Sequence, residues 1–154
     1  MLSFNSTVCA NVNAIIQEVW STPLYVKPCL SDRQELNYNF PVINGSNSEA
    51  ADISICSGGE REIINVAFRL VMMKYHGGSY PLFLDEVGVM MDEYHRRKFF
   101  DYIRRLSLSG EINQIFMVSH YLSQYGLMDG ANLIALNTEG LTVPGNLNQH
   151  SVIR

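Results

Sequence analysis

The chain has 154 residues, of which 47% are hydrophobic and 17% are charged, and its formal net charge is −4. These values are typical of one globular domain with a buried core, and they exclude a disordered chain. They also exclude the strongly basic surface of a nucleic-acid-binding domain, so we expect contact with any DNA to come mostly from another segment or subunit. The apolar runs are shorter than the roughly 20 residues that a membrane-spanning helix requires.

The cysteines are three in number and widely spaced, and they include no C-x-x-C pair (Cys9, Cys29 and Cys56). This pattern argues against a disulfide framework and against a zinc site. We therefore expect the chain to work in a reducing cytoplasm.

The first predicted element is a short amphipathic helix that ends by Pro23. Its apolar residues recur with helical spacing and form one stripe: Val12, Ile15, Ile16, Val19 and Trp20. A short strand is predicted over residues 24–27. Leu36, Tyr38, Phe40 and Val42 alternate with other residues, which predicts a half-buried strand in an antiparallel hairpin. Residues 44–52 are rich in Asn, Ser, Gly and Ala and predict a loop that links two lobes.

The second half of the chain alternates strands and helices. Helical spacing covers residues 60–76 and 92–108, and apolar strands are predicted at 82–84, 115–118 and 133–136. This order predicts an α/β fold with a mostly parallel sheet. The continuous apolar run at 82–84 predicts a parallel strand that is covered on both faces.

A glycine-rich motif, Ser57-Gly58-Gly59-Glu60, opens the first of these helices. Two glycines allow the backbone to approach a ligand closely, and the N–H groups of a helix N-terminus suit a phosphate oxygen. The alternative interpretation is an ordinary glycine-rich helix cap.

Two adjacent carboxylates, Asp85 and Glu86, end the strand at 82–84, where open α/β sheets place their ligands. Asp85 could hold a magnesium ion through water. Glu86 could orient or deprotonate an attacking water. The alternative is a polar strand end without a ligand.

His120 follows the strand at 115–118. An imidazole at this point could donate a hydrogen bond to a terminal phosphate oxygen. A lone histidine is more often structural, so only the combination with the two motifs above favours a site.

The motifs, in this order and spacing, resemble the C-terminal lobe of an ABC-type ATPase head. Ser57-Gly58-Gly59-Glu60 matches the signature motif, with Cys56 where Leu is usual. Asp85 and Glu86 match the Walker B pair, Asp92 matches the D-loop aspartate, and His120 matches the switch histidine.

Within that superfamily the chain is most similar to the large coiled-coil ATPase of SbcCD-type DNA repair nucleases, an SMC relative with phage-encoded versions. The stretch from about residue 40 to residue 136 carries this resemblance, including Phe40-Pro41-Val42 and Met73-Lys74-Tyr75. Residues 1–22 would then be an N-terminal helix, either a packing helix or the stub of a coiled coil. Residues 23–154 would form the ATPase lobe.

The resemblance implies that ATP and magnesium are bound between two heads. Ser57, Gly58, Gly59 and Glu60 would contact the nucleotide of the opposite head in trans. In cis, Asp85 would support magnesium, Glu86 would be the catalytic base, and His120 would contact the γ-phosphate. Asp92 would communicate across the dimer. A nuclease subunit would be a further partner, and DNA an indirect one.

The sequence departs from the family pattern at two points. Val87 stands where proline is common, which we treat as tolerable variation. No G-x-x-x-x-G-K-[ST] motif is present, and none of Lys27, Lys74 and Lys98 follows a glycine, so the cradle for the α- and β-phosphates is missing. We therefore expect ATPase activity only with a separate phosphate-loop lobe, and an exposed apolar face where that lobe would pack.

Two other functions are compatible with the same residues. The chain could be a non-enzymatic ABC-like half-domain that regulates a protein partner. It could also be a metal-dependent nuclease built on Asp85 and Glu86, which we rank last because further metal ligands are missing.

A basic cluster, His95-Arg96-Arg97-Lys98 with Arg104-Arg105, lies on the predicted helix 92–108 among aromatic residues. Contact with the DNA backbone is one interpretation. We favour a solvated helix face with the aromatic residues in the core, because Glu93 and Asp101 dilute the positive charge.

Overall fold

The computed structural model describes residues 2–28, 40–45, 49–50, 53–77, 80–120, 128–136, 145 and 148–153. In this part of the chain, the helices are α1 (Leu2–Val19), α2 (Gly58–Tyr75) and α3 (Glu93–Leu108), with one 3-10 turn at Ile53–Ile55. The strands are β1 (Tyr25–Val26), β2 (Val42–Ile43), β3 (Glu49–Ala50), β4 (Leu82–Asp85), β5 (Ile115–Val118), β6 (Asn132–Leu136) and β7 (Asn148–Ile153). None of the helices in these ranges is long and apolar enough to cross a membrane.

Helix α1 is longer than the predicted helix because its buried stripe begins earlier. The stripe is Val8, Cys9, Val12, Ile15, Ile16 and Val19, and it packs against α2 and α3. Trp20 follows the last helical residue. Burial raises the pKa of the Cys9 thiol, as expected for a cysteine that packs as a small apolar residue. Cys56 is also buried, and Cys29 lies outside the described residues.

The predicted antiparallel hairpin is present in the first half of the chain. β1, β2 and β3 form an antiparallel sheet in which Tyr25 pairs with Ile43 and Val42 pairs with Ala50. The start of the predicted strand at Leu36 and Tyr38 lies outside the described residues. β3 falls in the segment that we predicted to be a loop. Glu49 and Ala50 have little strand propensity, so pairing with β2 decides their conformation.

The second half contains the predicted parallel sheet. β4 and β5 pair in parallel, with Leu82 opposite Ile115 and Asp85 opposite Val118. Helix α3 connects them, as a parallel pair requires. β6 and β7 form a second parallel pair, of which β7 was not predicted.

One face of the β4–β5 sheet is bare, which contradicts the prediction that β4 is covered on both faces. Leu82 and Leu84 are buried on one side. On the other side Phe83 is 61% exposed and stacks on Phe116, with ring centroids 4.9 Å apart. Val118 is exposed as well. The described helices cover a single side of this sheet, so the other side exposes the apolar side chains of Phe83, Phe116 and Val118.

Candidate active site

Glu86 and His120 meet at the carboxyl ends of β4 and β5. The Glu86 N–H donates to the carbonyl of Val118 at 2.9 Å, which continues the parallel pairing by one residue. The side chains then come together, with Nε2 of His120 2.9 Å from Oε1 of Glu86. Both side chains are open to solvent, so a ligand at this edge could reach either of them.

The backbone of Glu86 has φ +50°, the only positive φ at a non-glycine position in the described part of the chain. The backbone of a residue other than glycine rarely adopts this left-handed conformation, which costs about 1–3 kcal/mol. Such strain concentrates at functional sites, and here it occurs at the residue that contacts His120.

Asp85 ends β4 and is exposed on the same face as Phe83, because side chains alternate along a strand. The described residues contain no group of three or more His, Cys, Asp or Glu side chains that could hold a metal ion. A single exposed carboxylate still suits magnesium, which keeps several waters and takes its remaining ligands from phosphate oxygens. Asp85 could therefore supply one ligand, directly or through water, to a magnesium ion.

Ser57 and Glu60 close the N-terminus of α2 as a capping box. The Ser57 hydroxyl accepts a hydrogen bond from the Glu60 N–H at 3.3 Å, and Oε2 of Glu60 accepts one from the Ser57 N–H at 2.8 Å. Gly59 is buried, and a Cβ there would lie 2.9 Å from the carbonyl oxygen of Met90 and 3.1 Å from Cη2 of Trp20. The second glycine is thus needed for packing.

Glu62 of α2 lies beside the connector between β4 and α3, residues 86–92. Burial raises the pKa of Glu62, and the nearby backbone N–H groups of Gly88 and Met90 oppose that rise. Oε2 of Glu62 is buried and has no hydrogen-bond partner among the described residues. Sequence reasoning missed this residue, because a glutamate in the first turns of a helix normally indicates only a favourable helix dipole.

Asp92 is the N-cap of α3. Its Oδ1 accepts the His95 N–H at 3.0 Å, and its Oδ2 lies 2.5 Å from Nδ1 of the His95 ring. The backbone N–H of His95, and after it the His95 ring, hold the pKa of Asp92 below its usual range. The Asp92 side chain is 60% exposed, so it remains open to a partner.

His95 is the second residue that sequence reasoning missed, since it was grouped with the basic cluster. It is 9% exposed, whereas the neighbouring Tyr94 is 57% exposed and lies outside the core. The spacing of a capping aspartate three residues before a histidine was the available signal. Phe99, Phe100 and Tyr102 are buried as expected.

Two arginines of the basic cluster face solvent and pair with carboxylates. Arg97 contacts Glu93 at 2.6 Å, and Arg105 contacts Glu18 at 2.8 Å. These ion pairs support the interpretation of a solvated helix face over a phosphate-binding surface.

The predicted site residues therefore fall into two neighbourhoods. Asp85, Glu86 and His120 lie at the end of the β4–β5 sheet. Gly58 and Gly59 lie against Met90 and Met91, which immediately precede Asp92. Residues 86–92 join the two neighbourhoods.

Comparison with known proteins identifies relatives over part of their length. No family model matches the sequence. A DNA double-strand break repair Rad50 ATPase from Aeropyrum pernix is 30% identical over 100 residues, covering 64% of this chain and 11% of that protein. The protein of the same name from Pyrococcus abyssi is 39% identical over 90 residues, covering 57% of this chain and 10% of that protein. The chain thus spans about a tenth of the length of these curated relatives.

Solved SMC structures share the fold. One, from a study of ATP-driven dimerisation and DNA-stimulated activation of SMC ATPases, aligns with a TM-score of 0.64 at 16% identity, over 82% of this chain and 74% of that one. The Smc head domain of Pyrococcus furiosus, bound to the C-terminal domain of ScpA, aligns with a TM-score of 0.64 at 17% identity, over 84% of this chain and 31% of that one. The chain therefore has the fold of part of an SMC ATPase head and is related in sequence to Rad50 ATPases, which confirms its resemblance to an ABC-type head of the SMC kind.

Proposed function

We propose that the chain is the C-terminal lobe of an ATP-binding head in an SbcC-like DNA repair and recombination ATPase. The observation that carries the proposal is the contact between Glu86 and His120, because it unites the Walker B and switch motifs at one sheet edge. The DNA repair role of the Rad50 relatives supplies the biological context.

Glu86 is the catalytic base in this proposal. Its carboxylate orients the attacking water and accepts its proton as the bond between the γ-phosphorus and the leaving oxygen breaks. His120 holds that carboxylate through Nε2 and, when rotated toward a nucleotide, donates to a γ-phosphate oxygen. Asp85 would hold a magnesium ion through water, and the ion would supply positive charge next to the phosphates.

Ser57, Gly58, Gly59 and Glu60 act on the nucleotide of a second head. They lie at the N-terminus of α2, where the helix dipole favours a phosphate. Asp92 lies on the same side of the connector and communicates across the dimer. A second head is therefore a required partner, and a nuclease subunit and DNA are partners of the whole assembly.

A lobe that bears the phosphate loop is the other required partner. We place it on the bare face of the β4–β5 sheet, formed by Phe83, Phe116 and Val118. Parallel sheets are normally covered on both faces, and an exposed apolar patch of aromatic side chains marks an interface. The lobe is either a separate polypeptide or a segment of a longer chain that contains this one.

The test is an affinity purification of the tagged chain from its native source, followed by mass spectrometry and by ATPase assays of the recovered pair. Recovery of a polypeptide with a G-x-x-x-x-G-K-[ST] motif, together with magnesium-dependent turnover, supports the proposal. Recovery of proteins without that motif contradicts it and favours a non-enzymatic regulatory module.

A further inference from the structure

A short polar chain connects the end of α1 to the start of α3. Oγ of Ser21 lies 2.9 Å from Nε2 of His95, and the Ser21 N–H donates to the same nitrogen at 3.3 Å. Nδ1 of His95 contacts Oδ2 of Asp92. Both ring nitrogens of a buried histidine are thus engaged, one by each helix end.

The partners of His95 determine which of its two ring nitrogens donates a hydrogen bond. The Asp92 carboxylate can only accept, so Nδ1 carries the proton and donates it to Oδ2. Nε2 then accepts from the hydroxyl and the N–H of Ser21. The ring cannot rotate without breaking hydrogen bonds at both ends, so its position and that of the Asp92 carboxylate are linked.

Trp20 supports the same ring from one side and reaches the signature motif. Its indole stacks on the His95 ring, with centroids 4.0 Å apart and an interplanar angle of 19°. Cη2 of the same indole lies against Gly59. Trp20 and Ser21, the two residues after α1, therefore both contact His95. Trp20 also contacts Gly59.

We propose that His95 is a positioning residue for Asp92, and that Trp20 and Ser21 at the end of α1 hold the His95 ring in place. The proposal rests on the proposed function, in which Asp92 and Gly59 both act across the head dimer. A shift of the end of α1 would then move Asp92 and Gly59 together. Neither Trp20 nor His95 needs to touch nucleotide for this role.

Removing the ring should impair the assembled head through Asp92. In a complex of the full chain with its phosphate-loop lobe, we expect His95→Leu and Asp92→Asn each to lower turnover about tenfold, as loss of a hydrogen bond to a charged group predicts. The double variant should be no slower than either single variant, because residues that act as a unit are not additive. His95→Asn retains a donor toward Asp92 and should recover part of the loss. Arg97→Ala, on the exposed side of α3, should match the wild type.

A second measurement on the full chain alone needs no ATPase activity. Carbon-13 NMR titration should show a higher Asp92 pKa in His95→Leu than in the wild type, and a smaller rise in Ser21→Ala, which does not touch Asp92. An unchanged Asp92 pKa in both variants overturns the inference, as do independent, multiplicative effects on turnover. Absence of turnover in the wild-type complex would instead refute the proposed function. The NMR titration would still test the positioning role of His95, because it does not depend on turnover.

Discussion

The carbonyl oxygen of Met90 lies 2.9 Å from the point at which Gly59 would carry a Cβ. Real Cβ atoms essentially never approach a backbone oxygen so closely, so the signature helix and the connector to α3 can pack only while residue 59 is glycine. The glycine that the resemblance assigns to nucleotide contact thus has a second, structural requirement.

Gly59→Ala should therefore destabilise the fold by about 1–3 kcal/mol through overpacking. Gly58→Ala is the matched control, because a Cβ there meets only side-chain atoms of Met90, at 3.2 Å or more. Urea unfolding followed by circular dichroism measures both. Equal stability of the two variants would show that the connector can move away from residue 59 without a loss of unfolding free energy.

Glu86→Gln should lower ATP turnover of the reconstituted head by about 10²–10⁴-fold, the usual contribution of a general base. Nucleotide-dependent pairing of heads should persist, because the amide keeps the shape of the carboxylate. Glu93→Gln, an exposed glutamate paired with Arg97, is the control. Unchanged turnover in Glu86→Gln refutes the role of Glu86 as base.

Ser57→Ala should destabilise α2 by about 1 kcal/mol, because the variant loses the side-chain half of the capping box. Ser107→Ala, in the exposed last turn of α3, should change stability by less than about 0.5 kcal/mol. Thermal unfolding of both variants makes the comparison. If nucleotide-dependent pairing falls by more than the stability loss explains, Ser57 also contacts the ligand.

Replacing Phe83 and Phe116 by serine should abolish capture of the phosphate-loop lobe and leave the fold intact, since both rings are exposed on one sheet face. Leu108→Ser removes a comparably exposed apolar side chain, 75% accessible, from the end of α3. Only the paired phenylalanine variant should lose the partner in co-purification. Retained capture would mean that the lobe docks elsewhere.

Glu62 should make stability depend on pH. Burial raises its folded pKa above the unfolded value of about 4.3, so its contribution is fully present below that value and is lost as pH rises through the folded pKa. Glu62→Gln removes the carboxyl group that titrates. The unfolding free energy of this variant should therefore fall less over the same pH range than that of the wild type. An identical slope in Glu62→Gln would contradict the assignment.

The elements that follow a local pattern could be predicted from the sequence. The spacing of Ile63, Ile64, Ala67 and Leu70 predicts α2 because a helix buries one stripe, and all four are buried. The apolar run at 115–118 forms β5 with the same bounds. The motif residues Asp85, Glu86 and His120 could also be named in advance, because chemical type and position after a strand suffice.

Contacts between distant segments were decided only by the tertiary structure. The pairing of Glu49 and Ala50 in β3, the burial of His95 under Trp20, and the burial of Glu62 beside the connector all depend on segments far along the chain. No local pattern encodes such partners. A polar residue reads the same in the sequence whether its hydrogen-bond partner is water or a buried protein group. The sequence by itself determined helices α2 and α3, strands β4 and β5, and the chemical groups of the site. The packing of α1 and the connector against α2 and α3 determined which of those groups touch.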